Sequence, residues 1–163
     1  MTGFSLAETA RQIIAKVVYL TLATSSEIGE PWCTPLYAAY NDRYEFYWAS
    51  GHDTRHSVNI RENPHVSATI YDSSVEEGTG GAVYMEGFAK ELTAATWQDG
   101  LFLLRHRSRL ADKFYPVDEY FTDGPLRLYH FIPREFSMLN SGGDPRYETY
   151  ADCRVKINIF DDD

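Results

Sequence analysis

The feature that most constrains this chain is that its apolar runs are short, rich in β-branched and aromatic residues, and closed by turn formers. "VVYLTLAT" (17–24) stops at "SSEIGEP", where Gly29 and Pro31 punctuate a turn. "WCTPLYAAY" (32–40) resumes the pattern, and Pro35, which has no amide donor, belongs at an edge or a bulge. A short "NDR" turn leads into "YEFYWAS" (44–50), so these three runs are expected to form an antiparallel meander. Further strands are predicted at "HVSATIYD" (65–72), "AVYMEGFAKEL" (82–92) with Gly87 marking a bulge, and "LRLYHFIPREFSML" (126–139) bent near Pro133. "RVKINIF" (154–160) supplies one last short strand, and the three closing aspartates are expected to fray.

Helical spacing is confined to three places. Ser5 and Glu8 read as a capping box before Leu6, Ala10, Ile13, Ile14 and Val17, which predicts a helix over 6–16. Residues 54–62 read as a helix with Asp53 as N-cap and Asn63-Pro64 as its stop. Thr93 is expected to cap a helix over 94–113, with Trp97, Leu101, Leu104 and Leu110 on its apolar face. "SSVEEGTGG", "YPVDEYFTDGP" and "NSGGDP" are expected loops. No repeat or linker divides the chain, so residues 1–163 read as one mainly β domain, a barrel with flanking helices, in which 146–163 is a C-terminal extension.

The formal charge of −9 argues against a general nucleic-acid or anionic-membrane binder, since either needs a basic field. Cys33 and Cys153 match no zinc or redox spacing and read as reduced thiols. With no basic-then-apolar leader and no run of membrane-spanning length, a soluble cytoplasmic protein is expected.

Against that acidic background, "YWASGHDTRHSVNIRENP" (47–64) gathers phosphate-friendly side chains where an aromatic strand becomes a helix. A helix start presents unpaired amides and partial positive charge. Thr54 and Ser57 add hydroxyls, Arg55 adds a planar fork, and His56 adds a ring donor. The same pattern also fits an ordinary capped helix with a solvated face, and it lacks the spacing of a P-loop. His52 and His56 are four apart but have no third ligand, so no metal site is assigned. His130, inside an alternating strand, reads as a hydrogen-bonded barrel histidine, and the basic run 105–113 as a solvated helix face or a substrate contact. Trp32, Trp48 and Trp97 read as core or interface.

The order "LAT", Gly-Pro turn, Pro-centred strand, aromatic strand ending in Ser, Thr/Ser-Arg-basic helix start, "NIRENP", and a strand ending in "EG" resembles the pyridoxamine 5′-phosphate oxidase-like family of FMN-binding split barrels. The resemblance covers roughly residues 10–95 and, less distinctly, "LYHFIPREFSML". It implies a six-stranded antiparallel Greek-key split barrel, dimeric, with FMN in clefts at the subunit interface. On this sequence the phosphate grip falls on Thr54, Arg55 and His56 with Ser57 accessory. The ring positions fall on Cys33, Thr34, Pro35 and Leu36 and on Ala49 and Ser50.

His56 stands where lysine is common, which softens phosphate affinity and makes it pH-sensitive. Ala82 stands where the authentic oxidase has Gln, and no Arg-x-His segment follows residue 139. The resemblance therefore implies an FMN-dependent oxidoreductase of unassigned small-molecule substrate, not the authentic oxidase. Alternatives on the same fold are a flavin- or haem-binding carrier or sensor, a deazaflavin-dependent reductase, and a barrel that has lost its cofactor.

Overall fold

The computed structural model describes residues 5–77, 80–115, 124–140 and 153–161. Helix α1 spans Leu6–Lys16, as the spacing predicts, and Ser5 caps it by accepting from the Glu8 amide at 3.1 Å. Its inward face, Ala7, Ala10 and Ile14, is buried.

Strands β1 (Tyr19–Ser25) and β2 (Pro31–Tyr37) form a hairpin. Its turn is closed by Ser26 N–H to Glu30 O at 3.0 Å, and Gly29 supplies the left-handed residue at φ 84°. β2 ends the strand order, so Pro35 does sit on an edge strand, where its missing amide costs no ladder bond.

The expected meander is corrected at Ala38. Its N–H goes to Val18 O at 3.1 Å, breaking the 32–40 run into β2 and a two-residue β3 (Ala39–Tyr40). β3 pairs with β4 (Phe46–Gly51), and β4 then pairs with β7 (Leu126–Asn140), not with β2. The chain thereby carries itself from one edge of the sheet to the other, which curls the sheet into an antiparallel split barrel.

Helix α2 spans Arg55–Glu62, followed by β5 (His65–Tyr71) and β6 (Ala82–Glu91). β8 (Cys153–Ile157) pairs with the far half of β7. The sheet among the described residues has 8 strands, ordered β2-β1-β5-β6-β7-β4-β3 with β8 on β7, where the resemblance implied six. The additions are the fragment split off at Ala38 and the C-terminal strand.

Gly87 marks the expected bulge. The β6–β7 register shifts between Glu86 and Gly87, and a Cβ on Gly87 would lie 2.2 Å from Ile132 O. Inside the barrel, Leu20, Leu22, Trp48, Met85, Tyr129 and Phe131 form the main core with α1 over it.

A second cluster sits under helix α3, Trp97–Arg107, where Trp97, Leu101 and Leu104 are buried as expected. This helix is shorter than the predicted 94–113. Thr93 and Thr96 form a turn before it, and Ser108 adopts extended backbone, leaving α4 as one turn, Ala111–Phe114. Leu110, expected on the apolar face, is exposed because it follows that break. Asp161, expected to fray, accepts from Arg11 through its carbonyl oxygen at 2.8 Å. The turn at 141–145 and the last two aspartates lie outside the described residues.

Candidate functional site

β4 delivers the chain through Gly51 to the start of α2. Asp53 is not the cap: Thr54 occupies that position at φ −69°, ψ 151°, and no side chain bonds the first-turn amides. Two adjacent residues of capping type compete here, and Asp53 instead turns outward to His52, Oδ1 to Nδ1 at 2.8 Å, with its side chain 93% exposed. No acidic residue occupies the first turn, so the amides and the positive end of the helix dipole stay available to an anion.

Beneath that turn lies a hydrogen-bonded cluster. Ser50, His56 and Ser57 are buried. The Thr54 hydroxyl lies 3.0 Å from Gly51 O, 2.8 Å from Ser57 Oγ and 3.2 Å from His56 Nε2, with one proton to share among them. His56 Nε2 also lies 2.8 Å from Ser50 Oγ. Burial pushes His56 below the ordinary histidine pKa, so at neutral pH it carries no charge. His52 and His56 point to different partners and share no face.

Arg55 occupies the open side of the helix start. Its Nη2 lies 3.2 Å from Glu30 Oε2, and its guanidinium stands 4.9 Å from the centre of the Trp32 ring. Trp48 and Trp97 are core, whereas Trp32 is 40% exposed. On β2, Cys33 and Pro35 are exposed, Thr34 is half-buried and Leu36 is buried. Thr54, Arg55, His56, Ser57 and Ser50 are thus brought together, and α2 packs against β2. Ala49 stands apart from that cluster, half-buried on β4, lining a cleft that Tyr37 of β2 also lines.

Two braces were missed in the sequence. Glu91, at the end of β6, lies 3.4 Å from Arg127 Nε and 3.7 Å from Arg61 Nη1, and Arg61 donates to His52 O at 2.9 Å. This fixes the turn before α2 to the sheet. A charge at i, i+6 on a short helix carries no local signal for that. The second brace is Glu45 with His130, Nε2 to Oε2 at 3.1 Å, with His130 stacked on Tyr47 at 4.4 Å. His130 is therefore a hydrogen-bonded barrel residue, as read. Burial alone would raise Glu45, but the Asn41 hydrogen bond and His130 hold it below the usual carboxylate range. In the basic run, Arg105 donates to Tyr115 O and Arg107 to Ile14 O and Val17 O, so two of its cations are structural.

A family model described as pyridoxamine 5′-phosphate oxidase matches residues 6–140. No curated protein matches the chain. Among solved structures, a haem-binding protein from Mycobacterium smegmatis superposes with TM-score 0.73 at 17% identity, covering 98% of this chain and 60% of that one. The haem storage protein HutZ from Vibrio cholerae gives 0.67 at 17% identity over 80% of this chain and 92% of its own. A Listeria innocua protein described as a candidate pyridoxamine 5′-phosphate oxidase gives 0.64 at 17% identity, over 84% and 100%. These likenesses establish the shared fold. Among the described residues, no helix is long and apolar enough to cross a membrane.

Proposed function

The chain belongs to the pyridoxamine 5′-phosphate oxidase family, and on that premise we propose that it is a cytoplasmic, homodimeric FMN-dependent oxidoreductase acting on a small molecule. The observation that carries this reading is the start of α2: amides capped by no side chain, no acidic group in the first turn, and Arg55 on its open side. The donor set suits a phosphate monoester. Arg55 and the first-turn amides would hold the phosphate with the Thr54 hydroxyl beside them, while Ser57, buried beneath the turn, supports Thr54.

FMN, when bound, supplies the hydride and electron chemistry. The chain's own part is placement. His56, neutral and tied to Ser50, sets the conformation of the turn rather than its charge. β2, paired on one side only, offers backbone groups along Cys33–Leu36 for the edge of a planar ring. Pro35 interrupts that edge by lacking a donor, which fixes where along the strand such bonds can form.

A haem-binding carrier is the second reading. It is favoured by His52, whose Nδ1 is engaged by Asp53 and whose Nε2 has no partner among the described residues, the arrangement that orients an imidazole toward a metal. Visible spectra of the purified protein with FMN, a deazaflavin or haem added in turn discriminate these readings. Flavin absorbance that bleaches with NAD(P)H and recovers in air is the expected result. A Soret band with no flavin bound would replace this reading with the second.

A further inference from the structure

A cleft of about 530 Å³, within the range of small-molecule sites, reaches β4, the strand that leads into α2. None of Thr54, Arg55, His56 or Ser57 lines it. Its walls are Tyr19, Tyr37, Tyr115, Leu110, Phe114 and Leu126, and Ala49 joins it to β4. The Tyr19 and Tyr37 rings meet edge to face at 5.9 Å, giving a rigid aromatic corner.

The polar groups of this cleft are of one sign. Arg107, Ser108 and Arg109 line it and, among the described residues, no acidic side chain does, in a chain of formal charge −9. Arg107 is a fixed cation: its Nη2 donates to Ile14 O and Val17 O, both at 3.0 Å, and its guanidinium covers Tyr40. Arg109 is exposed and makes no ion pair among the described residues. Ser108 Oγ accepts from Leu110 N–H at 3.1 Å, which leaves its own proton to donate. Burial, with Tyr37 and Tyr19 nearby, pushes the Tyr115 phenol up to about 12, and burial raises Tyr37 as well. Both therefore remain neutral donors.

Flat aromatic walls with one fixed and one available guanidinium suit a flat anionic ligand. Arg109 and the Ser108 hydroxyl provide two donors, which satisfies a carboxylate. We propose that this cleft takes the small substrate and that the substrate is a planar aromatic carboxylate, its ring against Tyr19, Tyr37 and Phe114 and its carboxylate on Arg109 and Ser108. Its role as substrate rests on the flavin reading; its ligand chemistry does not.

The test is calorimetric titration of the full chain with 2-naphthoate and with its neutral twin 2-naphthamide, alongside a separate FMN titration. Naphthoate should bind about tenfold tighter than the amide, the difference expected for one charged hydrogen bond. Arg109→Gln should erase that preference, and Leu110→Trp should weaken both ligands by filling the cleft. FMN binding should be unchanged in each variant, and both positions are exposed, so thermal melts should match the parent. Equal binding of acid and amide, or undiminished binding in Leu110→Trp, would overturn the assignment. Naphthoate preference without FMN binding supports the cleft and removes the flavin reading. FMN binding without naphthoate preference removes the cleft and leaves the flavin reading standing.

Discussion

His56 Nε2 lies 2.8 Å from Ser50 Oγ, and both side chains are buried. This contact ties the first turn of α2 to the end of β4. It also uses the one ionisable ring of the helix start as a neutral hydrogen-bonding group. The positive character of the turn then comes from Arg55 and the helix amides.

The first prediction follows from that burial. With its folded pKa below the ordinary value near 6.5, His56 binds fewer protons folded than unfolded as pH is lowered. Stability is then fully present above that value and falls as pH drops through it toward the folded pKa. His130, also lowered by burial although Glu45 opposes the shift, acts in the same direction. Urea midpoints measured from pH 8 to pH 5 should decline, and His56→Gln should flatten but not abolish the slope.

Glu30 competes for the guanidinium that the phosphate would need. The pair is exposed, with side chains 45% and 62% accessible, so it adds at most about 1 kcal/mol to stability. Glu30→Gln should therefore leave the melting temperature nearly unchanged. FMN affinity should rise by up to about fivefold, read by quenching of flavin fluorescence.

At Gly87, a methyl group would meet the Ile132 carbonyl oxygen at 2.2 Å and Pro133 Cα at 2.9 Å. Neither is a flexible side-chain end, so relief requires the β6–β7 bulge to open. Gly87→Ala should cost about 2–4 kcal/mol in urea denaturation.

Trp48 and Trp97 are 0% and 7% exposed, against 40% for Trp32. Iodide should quench one fraction of the tryptophan emission, and Trp32→Phe should remove that fraction. Exchange of the indole beside Arg55 for the smaller phenyl ring should weaken FMN binding only slightly, because the guanidinium retains its place beside the helix start.

What the sequence made legible was local. Ser5, Glu8 and the apolar spacing agree on α1 because cap, periodicity and burial all act within one helix. Pro35 and Gly87 announce an edge and a bulge through backbone chemistry alone. The partner of β4 was not legible, because the switch rests on one long-range bond from Ala38 to Val18. The break at Ser108 was hidden for the same reason: Arg105 and Arg107 look like a solvated run until their carbonyl partners are placed. The gathering at 50–57 was readable as a set, but the inward face of His56 was not. Ile60, one turn beyond it and buried on the same side, was the available clue.

The most direct test compares FMN with riboflavin, which lacks the phosphate, on the parent chain and on Arg55→Ala at neutral pH. FMN should bind tighter than riboflavin by at least about tenfold, and Arg55→Ala should lose about 1.5–3 kcal/mol for FMN while riboflavin is little affected. Equal affinities of the parent chain for the two flavins, or a preference for FMN that survives Arg55→Ala intact, would contradict a phosphate held at the start of α2.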